Sequence, residues 1–420
     1  MTSFHPASDL NRSSFSPNAA KAAGFRVSGV HDGSGAAGPL GTNAKFSPTS
    51  ESDSGKKQAY NPRAARAERY RLQKKAQEIL WKKGVSEGLK YPANYHKTTK
   101  CLRVAVADKV DIHRSATTGK AFYGGGLVVC GKPGCPVCSA KIQERRRVEI
   151  AKCFDWAYSQ GKKIVMVTFT FPHGYEDGLK ELMTKQAGAL TRLRKGRSWD
   201  LFKNRIGFDG LIRSLEVTHG ANGWHPHTHE AWVVDANADV KKITEFVTEQ
   251  WLSACKKEGL VPHGKVGAFR KHAVDVQDNC RASDYFAKQD QTVTWGADRE
   301  LAKSSTKKGK KSGKSPFQLL ELAADGDERA ADLYLEYTQA IKGKSVIRWS
   351  QGLKGRVGVD ELTDEELARR EDDKADLLAL LTLEEWSCVI AHDARAYVLD
   401  LAEEKGLTGI KRWILAPFIP

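Results

Sequence analysis

The sequence predicts an α+β protein: an antiparallel sheet with helices on one face, preceded by a zinc-knuckle element and followed by a helical region. Three observations predict it. Apolar, β-branched runs and a turn dipeptide mark strands and a hairpin. Stretches between them carry apolar residues at helical spacing. Cys130, Cys135 and Cys138 cluster just ahead of the first strand.

The strand from Lys163 to Phe171 is β-branched and apolar, and Pro172-His173 ends it. A helix follows from about Gly178 to Arg194. The run from Leu211 to Thr218 reads as a strand, the alternating stretch after Trp224 as another, and Asn222-Gly223 between them as a hairpin turn. Residues 239–258 place Ile243, Phe246, Val247, Trp251 and Leu252 at helical spacing, and Lys271 to Gln277 alternates as a further strand. The order strand, helix, hairpin, helix, strand, helix suits an antiparallel sheet covered on one side.

The second hairpin strand carries the chemistry. Its text is Trp224-His225-Pro226-His227-Thr228-His229-Glu230. Side chains at every second position of a strand share a face, so His225, His227 and His229 project together. Two such imidazoles can hold one divalent metal. If Ala221-Asn222 centres the turn, Glu216 faces His227; if Asn222-Gly223 does, it faces His229. Either register brings a carboxylate to the histidine face.

Composition sets the partner class. The 420 residues carry a net charge of +16, which favours a polyanion, with nucleic acid first. No apolar run of membrane-spanning length occurs and the N-terminus lacks a signal-peptide pattern, so the expected location is the cytoplasm, with no membrane partner. There the eight cysteines stay reduced, and clustered ones bind metal more readily than they form disulfides. Cys135-Pro136-Val137-Cys138 lies in a Gly/Pro-rich turn, with Cys130 as a third ligand and Cys101 or a histidine as the fourth; such closed thiolate sites are structural Zn2+ sites. Cys153, Cys255, Cys280 and Cys388 stand singly and read as core residues.

The composition of residues 1–60, rich in Ser, Gly and Ala, predicts disorder. Pro62 to Lys83 reads as a basic helix. Ser139 can cap a helix running to about Gln160, whose Arg145, Arg146 and Arg147 are candidate DNA-backbone contacts. Residues 281–289 read as a short helix on which Tyr285 and Lys288 share a face: a phenol able to act as a nucleophile beside an ammonium that neutralises developing charge. Residues 303–314 hold six lysines and read as a flexible basic linker or loop, with Lys307 and Lys308 as further candidate DNA contacts. Ser315-Pro316-Phe317-Gln318 resembles a capping box, ahead of helices at 316–324 and 327–342, with Gly343 stopping the second. Arg348-Trp349-Ser350 begins another turn, and 363 to about 405 reads as acidic and helical.

Taken together, the cysteine cluster ending Cys135-Pro136-Val137-Cys138, the strand Val165 to Thr170, the run Leu215-Glu216-Val217-Thr218, the block His225 to His229 and Tyr285-Phe286-Ala287-Lys288 resemble the single-tyrosine replication initiators of rolling-circle plasmids, within the HUH endonuclease superfamily. Ser315 to Leu320 and Arg348 to Leu353 are similar to later stretches of such proteins, so the resemblance covers roughly 100–355. It implies a ferredoxin-like variant of the HUH fold and a DNA-nicking transesterase. His227 and His229 would be its paired histidines, Glu216 a third ligand and His225 a further ligand or a neighbour of the site, around Mg2+ or Mn2+. Tyr285 would attack the scissile phosphate and Lys288 assist. The implied partners are single-stranded or cruciform origin DNA, a host helicase and a DNA polymerase.

This chain departs from the family in carrying polar Thr228 between the two histidines, and Arg281 where some relatives have a glutamate one helical turn before the tyrosine. The expected division is a tail at 1–60, a basic helix and zinc element at 61–140, a nicking domain at 141–302, a basic linker at 303–315 and a helical region at 316–420. Rival readings are a relaxase or single-strand transposase with the same chemistry, a non-catalytic zinc-dependent DNA-binding regulator, and a metal hydrolase of small substrates.

Overall fold

The computed structural model describes residues 61–91, 94–116, 118–280, 313–370 and 375–416. Two antiparallel sheets organise them. The larger is built from β3 (Lys162–Phe169), β4 (Gly210–Gly220), β5 (Gly223–Asp235), β6 (Val274–Gln277) and β7 (Ile347–Trp349), in the order β6-β3-β5-β4-β7. The smaller joins β1 (Lys109–Ser115), β2 (Ala121–Gly125) and β8 (Ala375–Thr382) in the order β2-β1-β8.

One face of the large sheet is packed along its length. Helices α3 (Leu179–Leu193) and α5 (Val240–Lys257) lie there, with α4 (Arg197–Arg205) between them in sequence and the short α6 (Val266–His272) leading into β6. Leu179, Leu182, Met183, Leu190 and Leu193 of α3 and Ile243, Val247 and Trp251 of α5 recur at three- and four-residue steps and are buried against Val165, Val167, Phe169 and Trp232. Each such side chain contributes about 1.5–3 kcal/mol on burial. Trp199 and Phe202 of α4 close the lower end of this core against Trp232 and Phe246. Later in the chain, α7 (Pro316–Ala324) and α8 (Glu328–Ala340) add Leu319, Ala323, Leu333 and Tyr337 to it.

The opposite face is packed at one end. Ile150, Cys153, Phe154 and Ala157 of α2 (Pro136–Ser159) pack on Ile164, Met166, Ile212, Ala231 and Val233, joined by Leu353 of α9 (Leu353–Val357). Beyond Ala231 the same face of β5 carries His229, His227 and His225. The far half of this face, beyond the contact with α2 and α9, holds the candidate site.

The small sheet has its own core. α1 (Pro62–Ser86), α10 (Asp364–Arg369), α11 (Leu383–Ala391) and α12 (Arg395–Leu415) surround it, and Val110, Ile112, Tyr123, Leu381, Trp386 and Val398 are buried there beside the four cysteines. Elements from both ends of the described chain meet here: β8 pairs with β1 from Lys109↔Thr382 to Ser115↔Ala375.

The expected α+β class, the antiparallel sheet and the helix-covered face are present, and so is the capping box at Ser315. Several expectations are corrected. Cys135, not Ser139, is the N-cap of α2, because Pro136 takes the first helical position, where its missing N–H costs nothing. Lys271 to Ala273 belongs to α6 and its end, so β6 starts only at Val274. Arg348-Trp349 is not a turn but part of β7, the fifth strand, paired to β4 through Ile212↔Trp349 and Ser214↔Ile347. The stretch after 363 is not all helical, since it contains β8.

Candidate metal centre

The hairpin register decides which groups meet. Gly220 pairs with Gly223, so Ala221-Asn222 centres the turn and Glu216 lies opposite His227. Gly223 holds φ +80, and a Cβ there would sit 2.8 Å from the Gly174 carbonyl oxygen, which fixes glycine at this corner.

Glu216 Oε2 lies 3.0 Å from His227 Nε2 and 3.1 Å from His229 Nε2. Donors about 2.1 Å from one ion at right angles stand about 3.0 Å apart, so this spacing fits a shared octahedral cation. The outer ring nitrogens are engaged: His229 Nδ1 meets Thr168 Oγ1 at 3.0 Å, and His227 Nδ1 lies 3.4 Å from the His225 carbonyl oxygen. Such contacts orient both Nε2 atoms toward Glu216. His229 stays 26 % exposed while Glu216 is 8 % exposed, so the group opens to solvent through His229. Burial alone would raise the Glu216 carboxyl, but His227 and His229 outweigh it and hold the group well below the usual carboxylate range. Burial likewise works against protonation of His227, and Glu216 overcomes it, so His227 titrates above its ordinary value.

His225 stands outside this trio. Its Nδ1 faces His173 Nε2 at 2.7 Å and its Nε2 faces Thr170 Oγ1 at 3.3 Å. Burial first, then the neighbouring His227 and His173, push it down to about 3. His173, Thr168 and Thr170 are contacts that strand periodicity on β5 alone could not reveal, because they come from β3 and the loop after it. Tyr175, exposed on that loop, stacks edge-on to His219 at 6.3 Å.

On the reverse face of β5 a buried ionic group supports the strand. Glu230 accepts from Arg213 Nε at 2.7 Å and Trp232 Nε1 at 2.7 Å, and pairs with Arg194. Burial would raise its carboxyl, yet Arg194 and Arg213 hold it below the ordinary value. Between His227 and His229, the Thr228 hydroxyl points into this packed face and has no hydrogen-bond partner.

The four cysteines converge in the other core. Cys101 Sγ is 3.4 Å from Cys138 Sγ and 3.8 Å from Cys135 Sγ, and Cys130 Sγ is 3.7 Å from Cys138 Sγ. Four sulfurs bound at about 2.3 Å to one ion stand about 3.8 Å apart, which the cluster matches. Gln73 Nε2 donates to Cys135 Sγ at 3.3 Å and the Cys130 N–H to Cys101 Sγ at 3.4 Å, contacts suited to thiolates. Burial raises the Cys135 thiol, but hydrogen bonds from Cys101, Cys130 and Cys138 drive it well below its ordinary value. The fourth position falls to Cys101 rather than to a histidine.

Of the basic candidates, Arg146 is buried and spends its guanidinium on Asp364, Glu149 and the Leu362 carbonyl, tying α10 to α2. Arg145 donates to the Arg370 carbonyl and Arg147 pairs with Glu144. Tyr285, Lys288, Arg281, Lys307 and Lys308 lie outside the described residues, as does the 1–60 stretch.

Residues 126–394 match the family described as Replication protein. The chain belongs to that family. The matched span holds Cys130, Cys135, Cys138, the Glu216–His227–His229 trio and Tyr285. Among curated relatives, the chain is 27% identical over 298 residues to "Protein rep" of Streptomyces lividans, covering 56% of this chain and 65% of the relative. It is 32% identical over 149 residues to "Neomycin resistance protein" of Streptomyces cyanogenus, covering 29% of this chain and 34% of that protein. The chain therefore spans less than two thirds of either relative. No solved structure matches it.

Proposed function

We propose that this replication protein starts rolling-circle replication of a plasmid by nicking one strand of its origin DNA, with Tyr285 as nucleophile, in the manner of an HUH endonuclease. The observation that carries the reading is the Glu216–His227–His229 donor set on one face of the large sheet in a chain of this family. Mg2+ or Mn2+ bound there would neutralise charge on the scissile phosphate.

The chain's path supports the nucleophile. The Cys280 N–H bonds the Ile164 carbonyl and its side chain packs on the histidine-bearing face. From Ile164 to Thr168, the partner of His229, is about 13 Å along β3. The five residues from Cys280 to Tyr285 span up to about 17 Å. At the other end of the same segment, Lys314 pairs with His219 on β4, so both anchors flank the site.

In the reaction the Tyr285 phenol gives up its proton and its oxygen attacks phosphorus. The new P–O bond forms as the bond to the 3′-oxygen breaks, and that oxygen takes a proton to become a free 3′-hydroxyl. The 5′-phosphate stays on tyrosine, which conserves the bond energy for rejoining. Lys288 offsets negative charge at the reacting oxygens. The free 3′-hydroxyl primes a host polymerase, and a helicase unwinds the strand ahead of it. The four-cysteine group, as a Zn2+ site, fixes the fold of the element preceding α2.

A denaturing gel tests this. Purified protein is incubated with single-stranded oligonucleotides tiled across its replicon, with Mn2+ or without divalent metal. A metal-dependent shifted band, absent with Tyr285→Phe and His227→Ala, is expected. Binding without any covalent species across the whole tiling would favour a non-catalytic DNA-binding regulator.

A further inference from the structure

A groove of about 990 Å³ lies away from the metal trio, walled by the end of α1, the cysteine loop at Lys132–Gly134, the α8–β7 connection and β7 itself. That volume reaches the upper end of enclosed small-ligand sites. Seven lysine or arginine side chains line it against four carboxylates. Several of these are spent on one another: Lys132 and Lys97 both engage Glu365, and Arg146 engages Asp364. Lys342 and Lys344 have no carboxylate partner among the described residues. His96 lies under the fields of Lys132 and Lys342, and burial together with those charges holds it below its ordinary pKa. It is therefore neutral at pH 7 and adds hydrogen-bonding capacity without charge.

Two aromatic rings, Tyr95 and Trp349, also line the groove, and the Trp349 indole N–H is buried with no acceptor. Unpaired cations, aromatic faces and an orphaned donor together suit a ligand with phosphates, π-faces and acceptor atoms. The groove's position adds direction. Its β7 wall is hydrogen-bonded to β4, and the Val346 carbonyl accepts from Leu215 N–H, one residue from Glu216. The groove thus leads from the four-cysteine element along the sheet edge toward the metal trio.

We propose that this groove holds a single-stranded segment of DNA and guides it from the cysteine element toward Glu216, with Lys342 and Lys344 on its phosphates and Tyr95 and Trp349 beside its bases. This rests on the reading of the chain as a DNA-nicking protein, but the groove is a separate binding surface.

The test is fluorescence anisotropy of a labelled oligothymidylate with the full chain, without added divalent metal, over a salt series. The double variant Lys342→Glu/Lys344→Glu is compared with Lys256→Glu/Lys257→Glu, which makes the same charge change at the exposed end of α5, the helix packed on the reverse face of the sheet. The groove variant is expected to bind on the order of tenfold more weakly, with a salt slope shallower by roughly 0.7 per lost phosphate contact, while the α5 variant stays near wild type. Unchanged binding of the groove variant, or equal loss in both, overturns the proposal. No metal or nucleophile enters this measurement, so a missing covalent adduct in the nicking assay and a failure of the groove remain distinguishable.

Discussion

Thr228 sits between His227 and His229 with its hydroxyl buried and unpartnered. An unsatisfied buried hydroxyl costs about 1–3 kcal/mol. Thr228→Val keeps the shape and the β-branch, so it should raise stability by about 1 kcal/mol, read as a higher denaturant midpoint with an unchanged slope. Glu230 behaves in the opposite way. Its carboxyl is depressed in the folded state, so in the window between its folded and unfolded pKa the unfolded chain binds the extra proton. Its contribution is present above the unfolded value of about 4.3 and is lost as pH falls through the folded one. Glu230→Gln should therefore flatten the acid side of the stability profile. At pH 7 it should also cost about 3 kcal/mol, because Arg194 and Arg213 are left half-buried without their anion. Equilibrium unfolding across pH checks both. At this scale the sequence was readable where one strand carried the signal: alternation on β5 and the hairpin brought Glu216 to the histidine face, and the pairing of Gly220 with Gly223 then chose His227 over His229. It could not show that His225 turns to His173 and Thr170, because those partners arrive from β3 and its following loop.

Among the elements, the cysteine group joins pieces that sequence places far apart. Cys130, Cys135 and Cys138 lie within one loop and helix start, whereas Cys101 follows a 3-10 turn and is brought in by the fold. On the proposal that the group is a zinc site, wild type should carry one equivalent per chain and Cys101→Ser less, with a looser core around β1 and β8, measured by metal analysis and near-UV dichroism. Retention of one tightly held equivalent would assign the metal to other ligands. The missed strands have physical reasons. Ala375 to Thr382 is Leu- and Ala-rich, a composition that favours helix, and only pairing with β1 makes it a strand. Ile347–Trp349 is three residues long, too short for alternation to register. The long amphipathic helices α3 and α5 were legible because each repeats its period several times, and β3 because its run is β-branched and apolar on both faces.

For the whole molecule, the central proposal is that Tyr285 takes the DNA strand, with the Glu216–His227–His229 group holding the metal. Charge, cysteine spacing and the five ordered motifs point to it in the sequence, and in the structure Glu216, His227 and His229 meet on one face of the large sheet. The most direct measurement is mass spectrometry of the covalent product. Protein is reacted with a nicking oligonucleotide, the DNA is trimmed by nuclease, and tryptic peptides are sequenced. The account predicts a nucleotide joined through phosphate to Tyr285, in the peptide from Ala282 to Lys288. A nucleotide on Tyr175, the exposed tyrosine beside His219, would contradict it and move the nucleophile to the loop after β3.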